Sequence, residues 1–186
     1  DQYAADNRIG VQQDEIDAYV ASMERIAEQD RTEREARRTE IAGKLASQTL
    51  ASAERETLSA ELATLNELDS MLGGSGEKSA EDQAAQREIG AAVVRQWKIN
   101  QALYRQYGGR VIFQQGGPEP LDAYRQFLED AEKRGAFRIL DPSLEPGFWR
   151  YFRTDSIHSF YPAGSDAEAR AFETPWWLMG NPDGVQ

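Results

Sequence analysis

The chain contains a single histidine, His158, in the irregular stretch TDSIHSFYPAG at residues 154–164. Asp155 lies three positions before it. An imidazole beside a carboxylate can act as a general base, which makes His158 and Asp155 the candidate catalytic residues. The sequence has no Gly-x-Ser-x-Gly elbow, so a serine-hydrolase site is poorly supported. The alternative is a histidine that only anchors its loop.

Metal chemistry finds little support in the residue types. A di-iron centre between helices requires Glu-x-x-His on two of them, and the only histidine lies outside the predicted helices. The chain has no cysteine, which excludes disulfides and thiolate ligands. Two-carboxylate glycosidase chemistry stays open, although nothing in the sequence selects a pair from the many acidic residues. We therefore expect no metal and no cofactor.

The aromatic residues are unevenly distributed, and they mark where a binding surface would lie. Only Tyr3 and Tyr19 precede residue 94, whereas the other aromatics fall between Trp97 and Trp177. This surplus favours an aromatic-lined groove for a polypeptide or a protein partner, with core packing as the alternative. The candidate binding residues combine an apolar ring with a polar tip: Tyr104, Tyr107, Trp149, Tyr151, Trp176 and Trp177.

The formal net charge of −11 argues against nucleic acid as a partner, because an acidic surface repels phosphates. The sequence has no apolar run of about 18 residues, so no membrane-spanning helix is expected. The first residue is Asp1 rather than Met, which favours a processed, exported protein in the periplasm or outside the cell; a cytoplasmic location is the alternative. The oligomeric state is left open.

The first half of the chain has helical periodicity. A first helix is predicted to be capped by Asp14, with an apolar stripe that runs from Ile16 to Ala27. The stripe is interrupted over residues 28–40, where opposite charges four apart (Asp30 with Arg34, Glu33 with Arg37) would support either an exposed helix or the ends of a broken one. A second helix over about 52–72 carries leucines at intervals of three and four, which predicts an antiparallel hairpin with the first.

The second half of the chain is also predicted to be mainly helical. One is predicted from Ser79, in a capping box with Asp82, to Tyr107 before a glycine pair. RVIFQQ at 110–115 is strand-like, either as an extended loop or paired with a short segment such as 137–140, and GGPEP at 116–120 is predicted to be a turn. Further helices are expected over 121–134, after Asp141-Pro142, and from Ser165.

These elements predict an all-α protein with at most one short β-hairpin. The expected domains are an acidic helical hairpin over 1–72, a flexible Gly/Ser linker over 73–79, an aromatic-rich helical domain over 80–179 and a tail over 180–186. The linker has the composition of either a natural or an engineered connection.

The segment RIGVQQDEIDAYV at residues 8–20 resembles the opening of the helical domain in SurA-like periplasmic chaperones. The isomerase domain of that family is not recognisable, so the resemblance gives no reason to expect isomerase activity. The second half is similar to exported proteins of Gram-negative bacteria. Together these resemblances imply an exported helical protein that holds extended or unfolded polypeptide.

Three functions follow as hypotheses. The first is non-enzymatic, chaperone-like binding of a polypeptide or protein partner in the periplasm. The second is an enzyme or small-ligand-binding protein that uses the loop around His158. The third is a structural subunit that assembles through its helical hairpin.

Overall fold

The computed structural model describes residues 2–47, 49–72, 78–114 and 116–179. Within these ranges the fold is all-α with one short antiparallel hairpin, as predicted. Three short 3₁₀ turns, at Pro142–Leu144, Asp155–Ile157 and Trp176–Leu178, complete the main elements. The helices and strands are α1 (Gln2–Asp6), α2 (Gln13–Leu45), α3 (Ser52–Met71), α4 (Ala80–Tyr107), β1 (Ile112–Gln114), β2 (Gly117–Glu119), α5 (Leu121–Lys133), α6 (Glu145–Arg153) and α7 (Asp166–Arg170).

The chain forms two compact units, one over Val20–Gln86 and the other over Asp1–Tyr19 together with Arg87–Gln186. These bounds differ from the predicted domain division. Most of the predicted linker and all of the predicted tail (residues 73–77 and 180–186) lie outside the described residues, so that division stays a prediction. No helix in the described ranges is both long enough and apolar enough to cross a membrane.

The unit over Val20–Gln86 contains α2 from Val20 onward and all of α3, which form the predicted antiparallel hairpin. The charged middle of α2 is continuous helix, which settles the choice between an exposed and a broken helix. The predicted pairs within this helix are wrong: Arg34 Nε donates to Asp69 of α3 at 3.0 Å, and Arg37 Nε donates to Glu61 of α3 at 2.7 Å. The guanidinium groups reach the facing helix, where part of the solvent is excluded and a charge pair is stronger.

Helix starts follow local side-chain chemistry, with one correction. Ser79 Oγ accepts from the Asp82 amide at 3.0 Å, and Asp82 accepts from the Ser79 amide at 3.1 Å, which confirms the predicted capping box. Asp14 does not cap α2. The helix begins one residue earlier, and the Gln12 amide donates to Glu15 at 2.7 Å, so the acidic side chain three positions on does the capping.

The strand-like run becomes β1, but its partner is not the predicted one. β1 pairs with β2, with Phe113 opposite Pro118, so the segment predicted to be a turn is mostly strand and the pairing with 137–140 is wrong. On its other side β1 meets the segment around Phe160, where the Phe113 amide donates to the Ser159 carbonyl at 2.8 Å. Pro118 lacks an amide hydrogen, which a strand at the edge of a sheet tolerates.

The unit that contains Arg87–Gln186 holds the aromatic residues in clusters. One cluster is built on Ile112, Leu121, Trp149 and Phe152, with further rings from α5 and α6 packed against it. A second is built on Val111, Ala171 and Phe172. Strand β1 therefore packs through Ile112 against α5 and α6, and the residue before it, Val111, packs against the segment that follows α7.

Candidate functional site

A cavity of about 480 Å³ opens between α4, the β-hairpin, α5 and α6, within one compact unit. We call it the Glu119 pocket, after the carboxylate on its wall. A cavity of this size, mostly apolar with a few polar groups, is typical of ligand sites. Its lining consists of Gln96, Asn100, Gln114, Gly116, Gly117, Glu119, Tyr124, Leu128, Phe137, Phe148 and Phe152.

The apolar wall is made of phenylalanine rings from two segments. Phe148 of α6 packs with its ring centroid 5.5 Å from Phe137 and 5.4 Å from Phe152. Trp149, only 5% exposed, packs behind them against Phe148 at 5.2 Å. The rings of this wall are thus held in place by contacts with one another and with Trp149.

A hydrogen-bonded network fixes the polar wall. The Tyr124 hydroxyl donates to Asn100 Oδ1 at 2.8 Å, and Asn100 Nδ2 donates to the Pro118 carbonyl at 3.1 Å. Gln96 Nε2 donates to the Tyr124 oxygen at 2.6 Å. Burial is the main reason that the pKa of Tyr124 rises to about 12, so its hydroxyl stays protonated at neutral pH and acts as a donor. This network joins α4 and α5 to β2.

Glu119, the last residue of β2, carries the charge of the pocket. Its oxygens accept from the Tyr151 hydroxyl at 3.2 Å each, and no lysine or arginine in the described part of the chain forms an ion pair with it. Burial raises the pKa of Glu119, partly offset by the Tyr151 hydrogen bond and by His158. Burial and the nearby carboxylate together raise the pKa of Tyr151 to about 12.

The predicted catalytic dyad is not formed by the side chains. The Asp155 carboxylate is bonded to Arg110, with Oδ2 2.7 Å from Nη1. His158 Nε2 lies 2.6 Å from the Tyr151 carbonyl oxygen, and its ring packs edge-on against the Tyr151 ring with centroids 4.8 Å apart. His158 therefore supports the residue that contacts Glu119, and the role of general base predicted for it with Asp155 stays a prediction.

The predicted binding aromatics do not gather in one groove. Trp149 and Trp177 are buried, and Trp177 packs against Tyr19 and Trp97 at 5.4 and 5.9 Å. Tyr104 packs on Phe172 and Tyr107 on Phe127. Of this set, Tyr151 alone contacts Glu119, through its hydroxyl.

Trp176 supports the pocket from outside its lining. Gly117, which lines the pocket, lies so close to the Trp176 indole that a β-carbon at this position would be 2.3 Å from Cδ1. The Trp176 indole therefore packs directly against β2, the strand that ends at Glu119. Its contribution to binding, like that of the other predicted aromatics, stays a prediction.

Sequence reasoning missed Glu119, because it lies in a segment that was interpreted as a turn. The sequence nevertheless contains a signal for this position in its two flanking prolines. Glu119 stands between two prolines, Pro118 and Pro120, both of which are buried in the structure. Because proline restricts its own backbone conformation, the main chain is restricted both before and after Glu119.

A second concavity, of about 610 Å³, lies between α1 and α4 in the same unit. Its lining is dominated by polar side chains, among them Arg8, Gln12, Lys98 and Arg105. Lys98 is already paired with Glu15 at 2.7 Å. Because it lacks the apolar walls that bury a ligand, we take the Glu119 pocket as the candidate site.

In the described ranges no cluster of histidine and carboxylate side chains has the arrangement to hold a metal ion. The Glu119 pocket thus offers one carboxylate, hydroxyl and amide donors, and aromatic faces. No protein-family model, curated protein or solved structure matches the chain.

Proposed function

We propose that the chain binds an extended polypeptide segment without catalysing a reaction, and that one side chain of the segment enters the Glu119 pocket. The observation that carries this proposal is the open cavity of about 480 Å³ with phenylalanine walls. The resemblance of residues 8–20 to SurA-like chaperones supports the same class of function and a periplasmic location.

The segment between two residues of the pocket wall supports an occupant longer than a small molecule. Leu140 is 80% exposed and Leu144 is 62% exposed, although both are large apolar residues. They lie on the segment that connects Phe137 to Phe148, two residues of the pocket wall. Large exposed apolar side chains can mark a surface that contacts a partner. A bound segment would cover them while its side chain fills the pocket.

Tryptophan fluorescence provides the direct test. All four tryptophans lie between residues 97 and 177, and Trp149 and Trp176 pack behind the pocket walls. We expect a saturable change of emission on titration with a permanently unfolded polypeptide. A flat response, together with no retention of the polypeptide in size-exclusion chromatography, would count against polypeptide binding.

A pair of substitutions locates the binding surface. Partial burial of each leucine is worth about 1 kcal/mol, so L140S/L144S should weaken binding by about tenfold or more. The matched control is I89S, which removes a side chain of similar size and exposure (59%) on α4. Equal affinities for the double variant and the wild type would show that this surface is not the one used.

A further inference from the structure

Glu119 differs from the other partly buried carboxylate of the hairpin region in having no lysine or arginine paired with it among the described residues; only His158 acts on it with a favourable charge. Asp122, three residues further along, is 2.8 Å from Arg110 and 3.3 Å from Arg125. Glu119 accepts only the long bonds from the Tyr151 hydroxyl among the described residues. A carboxylate withdrawn from water without a cation costs free energy. The pocket therefore holds one carboxylate that the Tyr151 hydroxyl and His158 compensate only in part.

The walls around this charge are suited to a cation with an apolar stem. Phe137, Phe148 and Phe152 present aromatic rings to the cavity, and Tyr124 lines it as well. Aromatic faces attract guanidinium and ammonium groups, and the attraction grows when water is excluded. Apolar walls also accommodate the methylene stems of lysine and arginine side chains. An acidic or a purely apolar side chain would leave Glu119 unpaired in the same space.

We infer that the Glu119 pocket selects an arginine side chain of the bound segment, with the guanidinium paired to Glu119 and the stem against the phenylalanine rings. This inference rests on the proposed function and adds the class of residue that is recognised. Arginine is favoured over lysine because its planar group can bond a carboxylate through two N–H donors and stack on a ring. The net charge of −11 favours the approach of a basic segment over an acidic one.

The test uses the full chain and a leucine-containing host peptide with one variable residue: arginine, lysine, norleucine or glutamate. We expect the wild type to bind the arginine peptide about tenfold more tightly than the norleucine peptide, as a charge-assisted bond predicts. E119Q should bind both peptides equally. The control E132Q makes the same change of charge on the exposed side of α5 and should keep the preference.

The outcomes separate the two proposals. If all peptides bind the wild type with equal affinity, the selection of arginine is refuted and polypeptide binding stands. If none binds, both proposals fail together. N-acetylarginine methylamide that binds as tightly as the whole peptide would identify the occupant as a small cation and overturn the inference. Y151F removes the hydroxyl but keeps the Glu119 carboxylate, so this variant should retain the preference for the arginine peptide. If Y151F loses that preference, the result would also count against a direct pair between Glu119 and the arginine side chain.

Discussion

The contact between Gly117 and Trp176 yields the sharpest prediction of stability. Gly117 has φ of +105°, and a β-carbon there would lie 2.3 Å from Cδ1 and 2.5 Å from Nε1 of Trp176. Placing an L-residue at such a positive φ costs about 1–2 kcal/mol. Displacing a packed indole adds about 1–3 kcal/mol. We therefore expect G117A to lower the free energy of unfolding by about 3 kcal/mol.

The neighbouring glycine provides the control. Gly116 does not have a positive φ, and a β-carbon there would meet nothing within 4 Å. G116A should leave stability unchanged or raise it by up to about 1 kcal/mol, since alanine restricts the unfolded chain. Urea unfolding followed by tryptophan fluorescence measures both variants, because every tryptophan lies in the unit that contains the contact.

A double-mutant cycle separates the two causes. In a W176A background the clash is absent, so G117A should cost only the backbone part, about 1–2 kcal/mol. The coupling between the two sites is then about 1–3 kcal/mol. If G117A and G116A unfold within about 0.5 kcal/mol of each other, the close approach of Trp176 to β2 is refuted.

Urea unfolding at several pH values tests three further substitutions around the same hairpin. Because burial raises the pKa of Glu119, its ionised form destabilises the fold, and E119Q should be more stable than the wild type at pH 7. This difference in stability should vanish as the pH falls below 4.5, the ordinary pKa of a glutamate. An E119Q variant that is less stable than the wild type at both pH values would contradict this. R110M removes a group that bonds Asp122 and Asp155, and should cost about 2 kcal/mol at pH 7, less than a fully buried pair would. Burial opposes ionisation of Asp122, but the bonds from Arg110 outweigh it and lower the pKa of Asp122. The stability that this ion pair contributes is therefore present above the ordinary pKa of 3.8 and is lost as the pH falls through the lower pKa of the folded state. A cost of R110M that does not depend on pH would argue against the ion pair. D122N should cost more than its matched control D155N, because the Asp122 side chain is 16% exposed and that of Asp155 is 60% exposed. We expect D155N to stay close to the wild type, and equal losses would mean that burial does not set the strength of the two pairs.

Local signals in the sequence predicted the helices, because the chemistry that starts and stops a helix lies within four residues of its end. Ser79 with Asp82 begins α4, and Gly108, at φ of +65°, follows its last residue. At the start of α7, Ser165 Oγ accepts from the Glu168 amide at 3.1 Å, which is the predicted cap. Such contacts need no knowledge of the remaining chain, so pattern and propensity are sufficient to find them.

Partners distant in sequence were not predictable in the same way. Arg34 has an acidic residue four positions before it, Asp30, and another on the facing helix, Asp69. The sequence shows both choices, and the packing of α2 against α3 decides between them. The aromatic residues present the same difficulty. Their number predicted a binding groove, whereas Trp149 and Trp177 pack in the interior, because large rings supply most of the buried area in a unit of this size.

The packing of the fold does not explain why residue 119 is a glutamate. No lysine or arginine of the described chain forms an ion pair with it, and burial disfavours its ionised form more than the Tyr151 hydrogen bond and His158 favour it. The buried residues Pro118 and Pro120 restrict the backbone before and after it, which keeps β2 on the pocket wall. A glutamine would fill the same space and make the same kind of hydrogen bond without the penalty. The carboxylate therefore lowers the stability of the isolated chain, and a cationic side chain entering from a bound segment is the change that would turn this cost into a favourable interaction.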